Sequence, residues 1–142
     1  MVRLVPLDRY NWELCLNIRL LPEQERFVPP VLYSLAQSRF ENLIPFGIEY
    51  EEEMVGFLMY GNFSGLCWIN RIIVDAAYQR QGIGQAAMRE LLIQLQVRKG
   101  CKEIRTSYAA GNLGAAEFFA GLGFEPMAAA LEDEVVAVLK QK

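Results

Sequence analysis

The sequence predicts an α/β fold: one mixed, mostly antiparallel sheet with a central parallel strand-helix-strand crossover, in the order β-α-α-β-β-β-α-β-α-β-β. Three observations predict it. The segment "LCWINRIIVD" (66–75) is almost entirely apolar, as a central strand covered on both faces is. Behind it, after the loop "YQRQG", Ile83, Ala87, Leu91 and Leu95 recur every fourth residue with Met88 and Leu92 beside them, the period of an amphipathic helix. The strand "EIRTSY" (103–108) comes next, and a strand-helix-strand unit of this kind closes as a right-handed parallel crossover.

The other elements follow in order. "VRLVPL" (2–7) alternates and reads as a first strand. Asp8 can cap a helix over about 9–19, with Trp12, Leu16 and Arg19 at helical spacing. "LLPEQERFVPP" (20–30) is a loop or broken turn, and "VLYSLAQSRF" (31–40) a second short helix. "IPFGIEY" and "MVGFLMYG" form a hairpin around Glu51-Glu52-Glu53, a solvated acidic turn. The crossover helix runs over about 82–98 and ends at Gly100, where a glycine relieves the left-handed C-terminal position. Asn112 caps a last helix that puts Ala115, Phe118, Phe119 and Leu122 on one face. "EPMAAALEDEVVAVLK" (125–140) closes as two strands around an acidic turn. There is no repeat, low-complexity segment or linker, so residues 1–142 read as one domain.

Composition excludes several function classes. A net charge of -3 without a basic tract argues against a nucleic-acid partner, which needs clustered positive charge. No apolar run is long enough to cross a bilayer, and "MVRLVPLDRYNW" lacks a signal-peptide core, so the expectation is a soluble cytoplasmic protein with no membrane partner. Cys15, Cys67 and Cys101 are odd in number and widely spaced; they are expected as small buried hydrophobes in a reducing compartment, with no disulfide and no metal. The absence of histidine removes the usual general base and the commonest metal ligand.

The loop "YQRQGIGQAAM" (78–88) ends a buried strand and opens a helix. A helix N-terminus carries unpaired N–H groups and about half a positive charge. Gly82 and Gly84 let a ligand approach the backbone, so the loop suits an anion such as phosphate; a merely tight turn explains the two glycines equally well. It is neither a dinucleotide fingerprint, since Ala87 stands where the third glycine belongs, nor a P-loop, since Gln85 and Ala86 replace the Lys-Ser/Thr pair.

"IIVDAAYQRQGIGQAAM" resembles the acetyl-CoA-binding motif of the GCN5-related N-acetyltransferases (GNAT), Gln/Arg-x-x-Gly-x-Gly/Ala, through Gln79, Gly82 and Gly84. The later Asn112, Ala115, Phe118-Phe119 and Gly123-Phe124 are similar to a second part of the family pattern. The resemblance implies the GNAT fold, a single N-acetyltransferase domain over 1–142, and acetyl-CoA as cosubstrate without a metal. It implies that backbone groups of Ile72, Ile73 and Val74 hold the pantetheine arm, that the amides of Arg80, Gln81, Gly82, Ile83, Gly84 and Gln85 cradle the pyrophosphate, and that Asn112 and Phe119 contact the cofactor. A homodimer is compatible with it, though no residue fixes one.

Within the family, "EQERFVPPVLYSLAQSRFE", "MVGFLMYG", "CWINRIIVDAAYQRQGIGQAAM", "CKEIRTSY" and "EDEVVAVLK" resemble bacterial spermine/spermidine (diamine) acetyltransferases. The implied acceptor is a small polyamine-like primary amine that attacks directly in a ternary complex. Two departures stand out. Phe119 occupies the place of a tyrosine that often protonates the leaving thiolate, which leaves three readings open: Tyr108 as the substitute hydroxyl, departure of the thiolate unassisted or protonated by water, or an acetyl-CoA-binding module with little or no catalysis; an acetyltransferase for another amine, a peptide or small antibiotic, is the further alternative. Asn70 stands where the branch tends to carry an acid, which leaves Glu23, in the loop walling the acceptor site, as the candidate carboxylate.

Overall fold

The first strand, β1 (Val2–Pro6), lies at one edge of a seven-stranded sheet. It pairs antiparallel with β2 (Ile44–Tyr50), β2 with β3 (Glu53–Phe63), and β3 with β4 (Leu66–Val74). β4 then pairs parallel with β5 (Glu103–Ala109), and the order ends with β7 (Glu134–Leu139) and β6 (Phe124–Pro126), both antiparallel. The strand order β1-β2-β3-β4-β5-β7-β6, with one parallel pair among antiparallel ones, is the expected mixed sheet. The computed structural model describes residues 1–97, 100–127 and 133–139. Residues 98 and 99, where the crossover helix is expected to end, and Glu132 of the expected acidic turn lie outside the described residues.

Helix α1 (Val31–Phe40) covers one face of the sheet, over a cluster of Cys15, Val31, Leu43, Phe57, Met59 and Ile73. Helices α2 (Ile83–Val97) and α3 (Leu113–Ala120) cover the other. α2 buries Ile83, Ala87, Met88, Leu91, Leu92 and Leu95, the stripe read from the sequence. Alternation along β3 sends Phe57 and Met59 to the α1 face, and Leu58 and Tyr60 to the α2 face.

The helix expected over 9–19 is instead a short 3-10 turn, Trp12–Asn17. Asp8 does cap locally, with Oδ1 accepting from the N–H groups of Tyr10 and Asn11 at 2.8 and 3.2 Å. Only Cys15 of this turn is buried, while Leu14 and Leu16 are exposed. Without a buried stripe, too little tertiary packing remains to support a longer helix.

The cysteine expectation is also corrected. Cys67, at the second position of β4, and Cys101, just before β5, form a disulfide with Cα atoms 5.8 Å apart. Parallel strands start at the same edge of the sheet, so the crossover brings together two residues that are 34 apart in sequence. Disulfides are rare in reducing compartments, so these cysteines give no support to a cytoplasmic location. Cys15 alone keeps the expected role: burial pushes its thiol up to about 12, so it is inert.

Candidate active site

β4 and β5 stay together for only four pairs, Leu66↔Glu103 to Ile69↔Thr106. The Thr106 hydroxyl donates to the Ile69 carbonyl at 3.0 Å and marks the end of the pairing. Beyond it each strand follows its other partner: Arg71 to Val74 remain paired with β3, and Ser107 to Ala109 with β7. The register of the β3–β4 ladder shifts at this point, Tyr60 facing Ile69 and Met59 facing Arg71, so Asn70 is the extra residue of a β-bulge. Because both strands are held from outside, they part rather than close, and β4 from Asn70 to Val74 presents an edge that β5 does not pair.

A cleft of about 110 Å³ opens there. β4 supplies Asn70, Arg71 and Ile72 to its lining, β5 supplies Thr106, Ser107 and Tyr108, Asn112 and Phe119 come from the α3 region, and Phe27 and Val28 from the loop before α1. Asn70 Oδ1 is buried with no hydrogen-bond partner among the described residues, an uncompensated acceptor that costs about 1–3 kcal/mol until a donor arrives. The Arg71 guanidinium donates to Ser34 Oγ (3.0 Å), Gln37 Oε1 (2.5 Å) and the Asn70 carbonyl (3.3 Å). Desolvation lowers its pKa, partly offset by Tyr33 and Glu41. The described lining contains no carboxylate.

Tyr108 is half-buried and stacks on Phe119, with centroids 6.0 Å apart and planes 7° from parallel. Phe119 in turn packs edge-on against Phe118 and Phe124 at 5.1 and 5.4 Å. It is therefore both a core ring and part of the cleft wall. Asn112 caps α3, its Oδ1 accepting from the Ala115 N–H at 3.1 Å.

The glycine loop follows β4. Arg80 and Gly82 both have positive φ, +64° and +79°. A Cβ on Gly82 would meet nothing within 4 Å, so the backbone is bare on that side. A Cβ on Gly84 would sit 3.2 Å from the Phe118 ring and 3.5 Å from Val74, so the glycine lets α2 pack closely on α3 and β4. Ile83 is buried in the core, Ile73 is buried on the α1 face, and Arg80 and Gln81 are exposed. The amides of Ile83, Gly84 and Gln85 fall in the first turn of α2, where no intrahelical acceptor exists.

A family model described as the acetyltransferase (GNAT) family matches residues 10–124. The chain belongs to the GNAT acetyltransferase family. A curated spermine/spermidine N(1)-acetyltransferase of Bacillus subtilis (strain 168) is 33% identical over 89 residues, 57% of this chain and 59% of that protein. The match thus spans less than two thirds of the relative's own length. Among solved structures, the ribosomal-protein-S18-alanine N-acetyltransferase of Escherichia coli superposes with a TM-score of 0.76 at 21% identity, over 98% of this chain and 93% of that one. The PaiA N-acetyltransferase of Thermoplasma acidophilum, solved with coenzyme A, gives 0.76 at 14% identity over 99% of both chains. At these identities the structural likeness concerns the GNAT fold.

In this GNAT chain the structure gathers Ile72, Tyr108, Asn112 and Phe119 around one cleft and places the 80–85 loop at the end of the same strand. Glu23 is exposed on a 3-10 turn, Pro22–Gln24, and is not a lining residue. Sequence reasoning missed Thr106, Phe27 and Val28 as parts of the cleft, because their place depends on where two strands separate. Among the described residues no group of three or more His, Cys, Asp or Glu is placed to hold a metal ion, and no helix is long and apolar enough to cross a membrane.

Proposed function

We propose that the chain is an acetyl-CoA-dependent N-acetyltransferase that transfers acetyl to a small polyamine-like primary amine by direct attack in a ternary complex. The observation that carries this reading is the parting of β4 and β5 beside the Gly82 loop, with the unpartnered Asn70 Oδ1 buried in the gap. The bare backbone at Gly82 and the open first turn of α2 fit the cofactor's pyrophosphate, and the edge that β5 leaves from Ile72 to Val74, where Gln79 takes only the Val74 carbonyl, fits its amide-bearing arm. Bound there, acetyl-CoA supplies an acetyl group activated as a thioester.

The chain's own residues do the rest. An alkyl ammonium has a pKa of about 10 and must lose a proton before it can attack. With no histidine in the chain and no carboxylate in the described lining, water takes that proton. Asn70 Oδ1 accepts an N–H of the neutral amine and orients its lone pair. The Tyr108 hydroxyl gives its proton to the departing thiolate and is restored by the proton that the attacking nitrogen sheds on becoming an amide. Direct transfer is favoured over a covalent acyl-cysteine because no cysteine lines the cleft: Cys15 is buried elsewhere and the other two are joined.

Support for a polyamine comes from the name of the Bacillus subtilis relative. The lining favours a second reading, a primary amine that is not a polycation, since it offers the half-buried Arg71 and no carboxylate. A thiol-release assay with spermidine, spermine, simple diamines, amino-acid amides and aminoglycosides separates the two. No turnover above the uncatalysed rate with any of them, while acetyl-CoA binds, would defeat the enzyme reading. Asn70→Asp is expected to lower KM for spermidine by about 5- to 10-fold, because a carboxylate within reach of an ammonium adds a charge-assisted hydrogen bond. An unchanged KM would move the amine away from Asn70.

The cradle has its own test. Gly82→Val forces a β-branched residue to φ +79° and covers the bare side of the loop. Coenzyme A affinity, measured by titration calorimetry, is expected to fall about 10-fold or more, because the side chain holds an anion away from the backbone amides, a loss of about 1.4 kcal/mol. Unchanged affinity in a folded variant would remove Gly82 from the cradle.

A further inference from the structure

We propose that Gln24 is a positioning residue that locks the acceptor-side wall of the cleft to the cofactor loop, so that occupancy of the loop orders the wall. The inference rests on the cofactor assignment above and adds to it a mechanical link between the two substrates' sites.

The link is a reciprocal pair of side-chain amides. Gln24 Nε2 donates to Gln79 Oε1 at 3.1 Å, and Gln79 Nε2 donates back to Gln24 Oε1 at 2.9 Å. Each partner is anchored further. Gln79 Nε2 also donates to the carbonyl of Val74, the last residue of β4, at 2.8 Å. Gln24 Oε1 also accepts from the Leu21 N–H at 3.1 Å, and the Gln24 carbonyl accepts from the Phe27 N–H at 3.0 Å. An unbroken chain of hydrogen bonds therefore runs from the end of β4, through the start of the glycine loop, to Phe27 in the cleft wall. Two further bonds run beside it: the Arg19 N–H to Asp75 Oδ1 at 2.8 Å and the Ala76 N–H to the Arg19 carbonyl at 2.7 Å.

Residues 19–28 belong to no strand, and their only regular structure is a three-residue 3-10 turn. Apolar contacts hold Leu20 and Val28 at the two ends. Between those ends, the Gln24–Gln79 pair ties the segment to the start of the glycine loop, and the Phe27 ring lies beside Gly111. Gln24 and Gln79 are half-buried, so cutting the pair leaves amide groups in a site with limited water. A ligand that fixes residues 80–85 stiffens the platform on which Gln24 docks, and linkage makes the effect mutual.

Hydrogen exchange with coenzyme A as the only ligand tests this without an acceptor. In the wild type, coenzyme A is expected to slow exchange of the Phe27 amide by about 5-fold or more, the lower end of ordinary coupling between sites. In Gln24→Ala, coenzyme A still binds, and the slowing at Phe27 falls below about 2-fold, a loss beyond the accuracy of additivity. Gln79→Ala cuts the same pair from the other side and gives the same loss, and the double variant loses no more than either single one. With an acceptor that the wild type turns over, Gln24→Ala raises acceptor KM several-fold and leaves kcat within about 2-fold, as expected for lost positioning without lost chemistry.

Equal slowing at Phe27 in the wild type and Gln24→Ala overturns the proposal. So does an absence of slowing in a wild type that binds coenzyme A. A wild type that fails to bind coenzyme A overturns the cofactor assignment itself, which is a different result.

Discussion

Replacing Tyr108 by Phe is expected to lower kcat by roughly 10²-fold, about 2.7 kcal/mol in the barrier, while thermal stability and both KM values stay near those of the wild type. The ring stacks on Phe119 at 6.0 Å and phenylalanine preserves that stack, so the substitution removes a hydroxyl and little else. Single-turnover kinetics with saturating acetyl-CoA check it. An unchanged rate would hand protonation of the thiolate to water, which a leaving group whose thiol has a pKa of about 8–9 tolerates. The reciprocal change sharpens the test. Phe119 lines the same cleft and stacks against Tyr108, so Phe119→Tyr in the Tyr108→Phe background is expected to recover part of the lost rate.

The second large effect concerns stability. Loss of the Cys67–Cys101 bond, by reduction or by Cys101→Ser, is expected to destabilise the fold by roughly 3–4 kcal/mol, the chain-entropy value for a loop of this length. For a domain of this size that corresponds to a fall in Tm of about 10 °C. Cys101→Ser is the cleaner variant, because Cys67 is wholly buried and a serine there would add an unpaired hydroxyl. The bond joins the starts of β4 and β5, whereas the cleft lies past their last pair at Ile69 and Thr106, so kcat is expected to change far less than Tm. Thermal unfolding with and without a reductant decides; coincident curves would show the two thiols unpaired in solution.

Much of the fold was legible because its signals are local. The α2 stripe needs only the 3.6-residue period, and the buried residues are the six named from the sequence. Asn112 could be read as a cap because capping is a contact across three residues. The first helix is misleading for the same reason: Trp12, Leu16 and Arg19 have helical spacing, but Leu14 and Leu16 stay exposed and only Cys15 of the turn is buried. Within the site, Asn112 and Phe119 are legible as residue types at motif distances and Tyr108 only as a nearby hydroxyl; the cleft lining contains all three. Gln79 was legible as a motif position, whereas its side chain turned out to grip Gln24 and Val74.

By itself the sequence determined the order of the strands and of the three α-helices, the buried face of α2 and the placing of a glycine loop at its start, because period and turn chemistry act between neighbours along the chain. Tertiary structure alone decided where β4 leaves β5, that Asn70 is the bulged residue with an orphan acceptor, that Gly84 is small for Phe118, and that Cys67 meets Cys101. Each of these depends on strand register or on contacts between residues some 30 or more positions apart. Register is set by the summed packing of both sheet faces rather than by any one segment.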